Sequence, residues 1–159
     1  MIDHSEFYKQ IGETIAEHGR QVIAVGGDRK HKPFFYTIGN HDKGLPELLL
    51  IGPFRPDMIM NVLNELSEKT ILTGKPFFDG EQANLGGSMD VTVYDTTIIA
   101  QLEYTMQATA YYGHKAYRVQ QVLLPDPQGR YPTEKVCHKH YRVPVLRPVS
   151  TLMQSVRLH

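Results

Sequence analysis

Tryptophan is absent from this chain, cysteine occurs once, and neither sign of charge is in excess. The lone Cys137 excludes an intramolecular disulfide and suits a reducing compartment. Lys plus Arg and Asp plus Glu number 17 each, so the formal net charge is zero. That balance argues against a nucleic-acid partner held by bulk charge, because phosphate affinity comes from clustered Lys and Arg. No apolar run approaches the roughly 20 residues needed to cross a bilayer, so no membrane partner is expected. The start, Met1-Ile2-Asp3-His4-Ser5-Glu6, has neither the basic opening nor the apolar core of a signal peptide, and a cytoplasmic protein is the expectation. Internal repeats, low-complexity segments and linkers are missing as well. Residues 1–159 therefore read as one domain, long enough to bury a core without disulfides.

What is present is an ordered series of elements. Asp3 and Glu6 have capping-box spacing, and Phe7, Ile11 and Ile15 make one helical face that ends at Gly19. Residues 21–25 and 34–38 read as the strands of a hairpin, with Gly26-Gly27-Asp28 and the basic run Arg29-Lys30-His31-Lys32 between them. Leu48 to Ile51 is continuously apolar, the pattern of a central strand covered on both faces. Pro56 opens a second helix, with Ile59, Val62, Leu63 and Leu66 on its apolar stripe and Gly74 beyond its end. Residues 73–90 are rich in Gly and polar residues, an excursion expected to line a cleft. Met89 to Tyr94 reads as a strand. Ile98, Ile99, Leu102, Met106 and Ala110 give a third helix, stopped by Gly113. Tyr117 to Leu124 is a further strand, and the chain from Tyr131 onward is expected to wrap over the core. The order of elements implies an α+β fold: a mostly antiparallel sheet of about five strands flanked by three helices.

The ordered set Tyr36-Thr37-x-Gly39, Pro46-Glu47, Gly52, Gly74-x-x-Phe77 and Gln121-x-x-x-Pro125-Asp126-x-x-Gly129-x-x-Pro132-x-Glu134 resembles a bacterial family known only as domain of unknown function 4262. The resemblance spans roughly residues 8 to 146. Three positions depart from the family's habit. Leu45 stands where His often precedes Pro-Glu, and Leu124 and Thr133 stand where Trp is frequent. The family brings no established activity with it, so what it implies is a shared scaffold.

Four groups of residues carry candidate chemistry. His41 and Glu47 are the catalytic candidates, in a loop flanked by Tyr36, Thr37 and Asn40; a carboxylate can orient a His that acts as base near neutral pH. The structural alternative, which is favoured, makes the loop a solvated turn and Glu47 a cap on backbone amides or an Arg partner. Gln121, Asp126, Arg130 and Glu134 form the second group. Here Asp126 and Gly129 have a turn explanation, Arg130 and Glu134 are expected to pair, and an amide inside an apolar strand demands partners. Cys137, His138 and His140, with His114, have spacings compatible with zinc, but no second paired element accompanies them and no metal is the favoured reading. Finally, Gly26-Gly27 and Gly86-Gly87-Ser88 lack the spacing and the Lys of a phosphate loop and read as turns.

No residue pattern fixes a reaction. The first expectation is a protein that binds a small ligand or a protein partner in a cleft. The loop after Ile38, the Gly-rich excursion and the turn after Leu124 would line it. This requires Asn40, His41 and Glu47 to approach Gln121 and Asp126. Two alternatives stand beside it. One is a flavin-dependent split-barrel oxidoreductase, in which the cofactor carries the chemistry. The other is a dimeric interaction or immunity-type module that uses the Tyr-rich stretch from Tyr104 to Tyr117 as its surface.

Overall fold

The computed structural model describes residues 4–86, 89–113 and 115–148. Helix α1 (Ser5–His18) buries Ile11 and ends at Gly19, whose left-handed backbone returns its N–H to the Ile15 carbonyl. The helix is preceded by His4, which makes no side-chain cap; the capping-box residue Asp3 lies outside the described residues. Strands β1 (Gln21–Val25) and β2 (Phe34–Ile38) form the expected hairpin, and β3 (Glu47–Ile51) pairs antiparallel with β2. Every residue of β3 is buried, as its unbroken apolar run implies. Helix α2 (Pro56–Thr73) starts with Pro in its first turn and buries Ile59, Val62, Leu63 and Leu66.

The excursion after α2 contains a strand the composition conceals, β4 (Glu81–Leu85), paired with β5 (Met89–Asp95). Glu, Gln, Ala and Asn are poor strand formers, so tertiary pairing overrides propensity here. The third helix divides at Thr105 into α3 (Ile98–Tyr104) and α4 (Met106–Tyr112). Thr97 caps α3 by accepting from the Ala100 N–H at 3.1 Å. Thr105 turns its hydroxyl back to the Gln101 carbonyl at 2.7 Å and shares a hydrogen bond with the Tyr117 hydroxyl. Strand β6 (Val119–Leu123) completes the sheet.

The expectation of an α+β fold with a mostly antiparallel sheet stands, and the numbers of strands and helices are corrected. Among the described residues the sheet has six strands, in the order β1-β2-β3-β6-β5-β4, and there are four α-helices. The sheet is mixed, since β3 and β6 run parallel while the other pairings are antiparallel. It is also open: β1 and β4 are both free edges, whereas a barrel would need them to pair. Alternation along the strands sends side chains to two apolar layers. Leu48, Leu50, Val91, Val93 and Val122 meet α2 on one face. Tyr36, Ile38, Leu49, Ile51 and Val119 meet Ile11, Tyr104, Ala108 and Tyr112 on the other. The face of α3 and α4 that packs inward is thus Ala100, Tyr104, Ala108 and Tyr112, not the Ile98, Ile99, Leu102 and Met106 stripe the spacing suggested.

Candidate functional site

Glu47 opens β3 with no exposed surface, and the chain folds around its carboxylate. Gly39 ends β2 at φ 125°, where a Cβ would meet the Gly19 carbonyl oxygen at 2.7 Å. That conformation, open to glycine, turns the chain into the 3-10 helix Asn40–Lys43. The amides of Gly39, Asn40 and His41 consequently converge on Glu47 at 3.0–3.2 Å. The Thr37 hydroxyl donates at 2.8 Å, and the Tyr112 hydroxyl donates to Oε2. The Thr37 hydroxyl oxygen in turn accepts from the Leu48 N–H and the Asn40 amide. Every partner of Glu47 therefore arrives as a donor, the pattern suited to a carboxylate. Burial pushes its pKa up, and the Tyr112, His41, Thr37 and Asn40 donors pull against that. Burial and the neighbouring Glu47 charge also raise the Tyr112 phenol strongly, so it stays protonated.

His41 packs edge-on against Tyr112, ring centroids 4.8 Å apart, and contacts Glu47 through its backbone N–H rather than its imidazole. The imidazole borders a hollow with Gly44, Leu45, Tyr117 and Arg118. Tyr36 is fully buried; its hydroxyl donates to Gln107 Oε1 and accepts from the Gln107 N–H. Asn40 is also fully buried and donates to Ser67 on α2 at 2.9 Å. Tyr36, Thr37, Asn40 and Glu47 thus brace β2, β3, α2 and α4 against each other.

Gln121 serves as a clasp. Its amide donates to the Pro144 carbonyl at 2.7 Å and accepts from the Leu146 N–H at 2.8 Å, holding the C-terminal segment over the sheet. Asp126 organises the loop after β6, accepting from the Gln128, Arg130 and His138 amides at 2.8–3.0 Å and from the Arg130 guanidinium. Burial alone would raise the Asp126 pKa, but those amides and the Arg130 charge overcome it and hold the group at about 2. Arg130 pairs with Asp126 rather than with Glu134, which instead caps the Tyr131 N–H at 2.6 Å. Gln121 pairs with Leu49, two residues along β3 from Glu47, but turns its amide to the C-terminal segment rather than to the Glu47 cluster. Asp126 is remote: Val119 lies beside Glu47 in the parallel pair and Asp126 lies beyond the far end of β6, on the order of 15 Å away.

Cys137 is buried, and its thiol faces the Arg130 and His138 carbonyls. Burial raises its pKa, the reverse of what a nucleophile needs. The Nδ1 of His138 is engaged by the His140 N–H. Among the described residues no three His, Cys, Asp or Glu side chains are placed to hold a metal ion. His114 and the Gly87-Ser88 pair lie outside the described residues. Gly26-Gly27 precedes an Asx turn in which Asp28 accepts from the Lys30 and His31 amides. Tyr104, Tyr112 and Tyr117 are core residues, so the Tyr-rich stretch does not present them as a surface.

A groove of about 890 Å³ lies elsewhere, between the C-terminal end of α2 and β4. Leu72, Phe77, Phe78 and Ala83 supply apolar surface, and Lys69 and Lys75 stand on its rim. Leu72 is 87% and Phe78 70% exposed, unusual for side chains of this size. The rim is built to hold its shape. The Glu81 N–H closes a turn on the Phe78 carbonyl, the Glu81 carboxylate accepts from the Phe78 N–H, and buried Gln120 donates to the Phe77 carbonyl at 2.7 Å. None of these groove residues was among the sequence candidates. The available signal was Pro76-Phe77-Phe78, an apolar run inside a polar excursion expected to line a cleft.

Fold and groove define an α+β protein with an open mixed sheet and an apolar cleft at one sheet edge. The chain belongs to the family described as Domain of unknown function (DUF4262), whose model matches residues 14–138. No curated protein and no solved structure is a match to it. No helix among the described residues is long and apolar enough to cross a membrane.

Proposed function

We propose that this protein is a binding module whose ligand occupies the groove between α2 and β4. The observation that carries this reading is a contrast. The groove is apolar, open and rimmed by two lysines without ion-pair partners among the described residues. The acidic candidates, by comparison, spend their acceptors on the protein's own amides and hydroxyls. A small number of polar groups at the margin of an apolar cavity is the usual make-up of a ligand site. In this reading Glu47 and Asp126 shape the scaffold and His41 has no catalytic task.

The test is a 15N NMR titration with benzoate, phenylacetate and hexanoate, simple apolar acids that match the groove and its lysines. Amide shifts are expected within residues 69–84 and should vanish in a Leu72→Ser/Phe78→Ser double variant. Shifts confined to the hollow beside His41 would reject the reading.

A second reading, self-association, draws on the solvent-facing stripe Ile98, Ile99, Leu102 and Met106, each more than half exposed. Two copies pairing through this stripe would make the module a homodimer, which analytical ultracentrifugation measures directly.

A further inference from the structure

We propose that the groove receives an extended, acidic peptide segment of a partner protein, added as a seventh strand on the free edge of β4. This rests on the groove being the binding site and goes further, to the class of ligand and how it is held. β4 is the last strand of the sheet and pairs only with β5, so its outer edge presents backbone donors and acceptors without a strand partner. Proteins usually blunt such an edge with Lys, Pro or a bulge, and β4, Glu-Gln-Ala-Asn-Leu, contains neither Lys nor Pro and pairs with β5 in unbroken register.

The cavity follows that edge. Successive residues Glu81, Gln82, Ala83 and Asn84 all line it, although their side chains alternate between the two faces of the sheet. A cavity serving one face would meet alternate residues only. The opposite wall is the last turn of α2, with Lys69, Leu72 and Thr73. A helix beside an open strand edge is the geometry in which an added strand gains main-chain hydrogen bonds while every second side chain enters a pocket. Small Ala83 leaves room on the pocket floor, and Leu72 and Phe78 are the apolar surface the entering side chains would cover.

Charge selects the partner. Lys69 and Lys75 are exposed, and neither forms an ion pair among the described residues. Glu81, the one acid lining the groove, accepts from the Phe78 N–H and keeps its charge, so two lysines stand against one carboxylate. That balance favours an acidic segment over a basic one. The other sheet edge, β1, has a smaller and more polar hollow of about 350 Å³, where only Val22 and Met60 stand among Thr14, His18, Arg20, Gln21 and Asn64.

The experiment pans a phage-displayed library of random heptapeptides against the full chain, counter-selecting on the Leu72→Ser/Phe78→Ser variant. Enriched peptides are synthesised and titrated by 15N NMR. Apolar residues at alternate positions with Asp or Glu among them are expected, with shifts spanning residues 81–85. Methylating alternate peptide nitrogens should weaken binding by about tenfold, the worth of a backbone hydrogen bond or two. Lys69→Glu with Lys75→Glu should weaken it several-fold and favour basic sequences. Peptides that bind in the groove regardless of N-methylation would overturn strand addition but leave the groove as a site. Failure to enrich any peptide, while benzoate or phenylacetate still shifts the groove, would separate the two claims in the same way. Shifts away from both α2 and β4 would sink both.

Discussion

Glu47 is a carboxylate with five donors and no cation, and that arrangement predicts its behaviour on substitution. A glutamine in its place has the same shape but carries one NH2, which must face either Thr37 and Asn40 or Gly39, His41 and Tyr112. Donor then opposes donor in a site without water access. Glu47→Gln is expected to destabilise the fold by about 3 kcal/mol, the scale of a buried polar group left unpaired in a network, read from urea denaturation. Because burial raises the Glu47 pKa, the folded state takes up this proton before the unfolded chain does as pH falls. The Glu47 term thus favours folding most at acid pH and declines as pH rises through the unfolded value near 4.3 toward the folded one. The gap between wild type and Glu47→Gln should accordingly narrow as pH is raised across that window. A gap that widened would mean the folded pKa is lowered instead. A His, an Asp and a Glu around a tight turn describe an active loop and an amide nest equally well, and the sequence does not say that His41 meets Glu47 through its backbone N–H.

At the scale of elements, what was legible depended on how strong the local signal was. Pro56, Gly19 and Gly74 marked helix ends because their backbone constraints act locally, and β3 was legible because a strand covered on both faces is apolar throughout. β4 was missed because it is half exposed at an edge, where polar residues are permitted. The pairing of β3 with β6 is set by tertiary contact across some 70 residues, which no window can display. For α3 and α4 the periodicity was real but the face was wrong. The inward residues Tyr104 and Tyr112 carry hydroxyls, yet their rings fill the core, and Tyr112 finds its partner in Glu47. The stronger hydrophobes Ile98, Ile99, Leu102 and Met106 face solvent. The same helix pair has a connection no pattern suggested. His31, from the β1–β2 loop, meets Glu103 through Nε2 at 2.6 Å and Asp28 through Nδ1 at 3.3 Å. The Glu103 hydrogen bond, with Asp28 assisting against desolvation, raises the His31 pKa. A raised histidine contributes its stabilisation below the unfolded value near 6.5 and loses it as pH rises through the folded value. The hairpin tip should therefore be clasped to α3 at pH 6 and loosened by pH 9. With the base-catalysed rise in intrinsic exchange divided out, protection factors at residues 28–32 should fall on that shift in wild type and stay constant in His31→Gln. Protection factors that do not change with pH in wild type would discard the clasp.

For the whole molecule, a zero net charge and an uncovered apolar stripe act together. With Lys plus Arg equal to Asp plus Glu, no long-range repulsion keeps copies apart. Ile98 and Ile99 are 73% and 79% exposed, and Leu102 and Met106 extend the same solvent-facing stripe. If two copies meet there about a two-fold axis, each residue enters the interface twice. An Ile99→Glu substitution then acts once per copy. At about 1 kcal/mol each for lost burial and added desolvation, the sum is about 2 kcal/mol, or about a thirtyfold weaker dimer. Because Ile99 makes no core contact, the variant should keep its far-ultraviolet circular dichroism and melting temperature, which separates lost association from lost folding. Sedimentation velocity from about 1 to 100 µM should show wild type moving from monomer to dimer and Ile99→Glu remaining monomeric. The groove residues Leu72 and Phe78 are the control, since they lie on α2 and the rim of β4 rather than on α3. If Leu72→Ser/Phe78→Ser abolished the dimer and Ile99→Glu did not, the groove would be the self-association surface and the α3–α4 stripe would have no part in it.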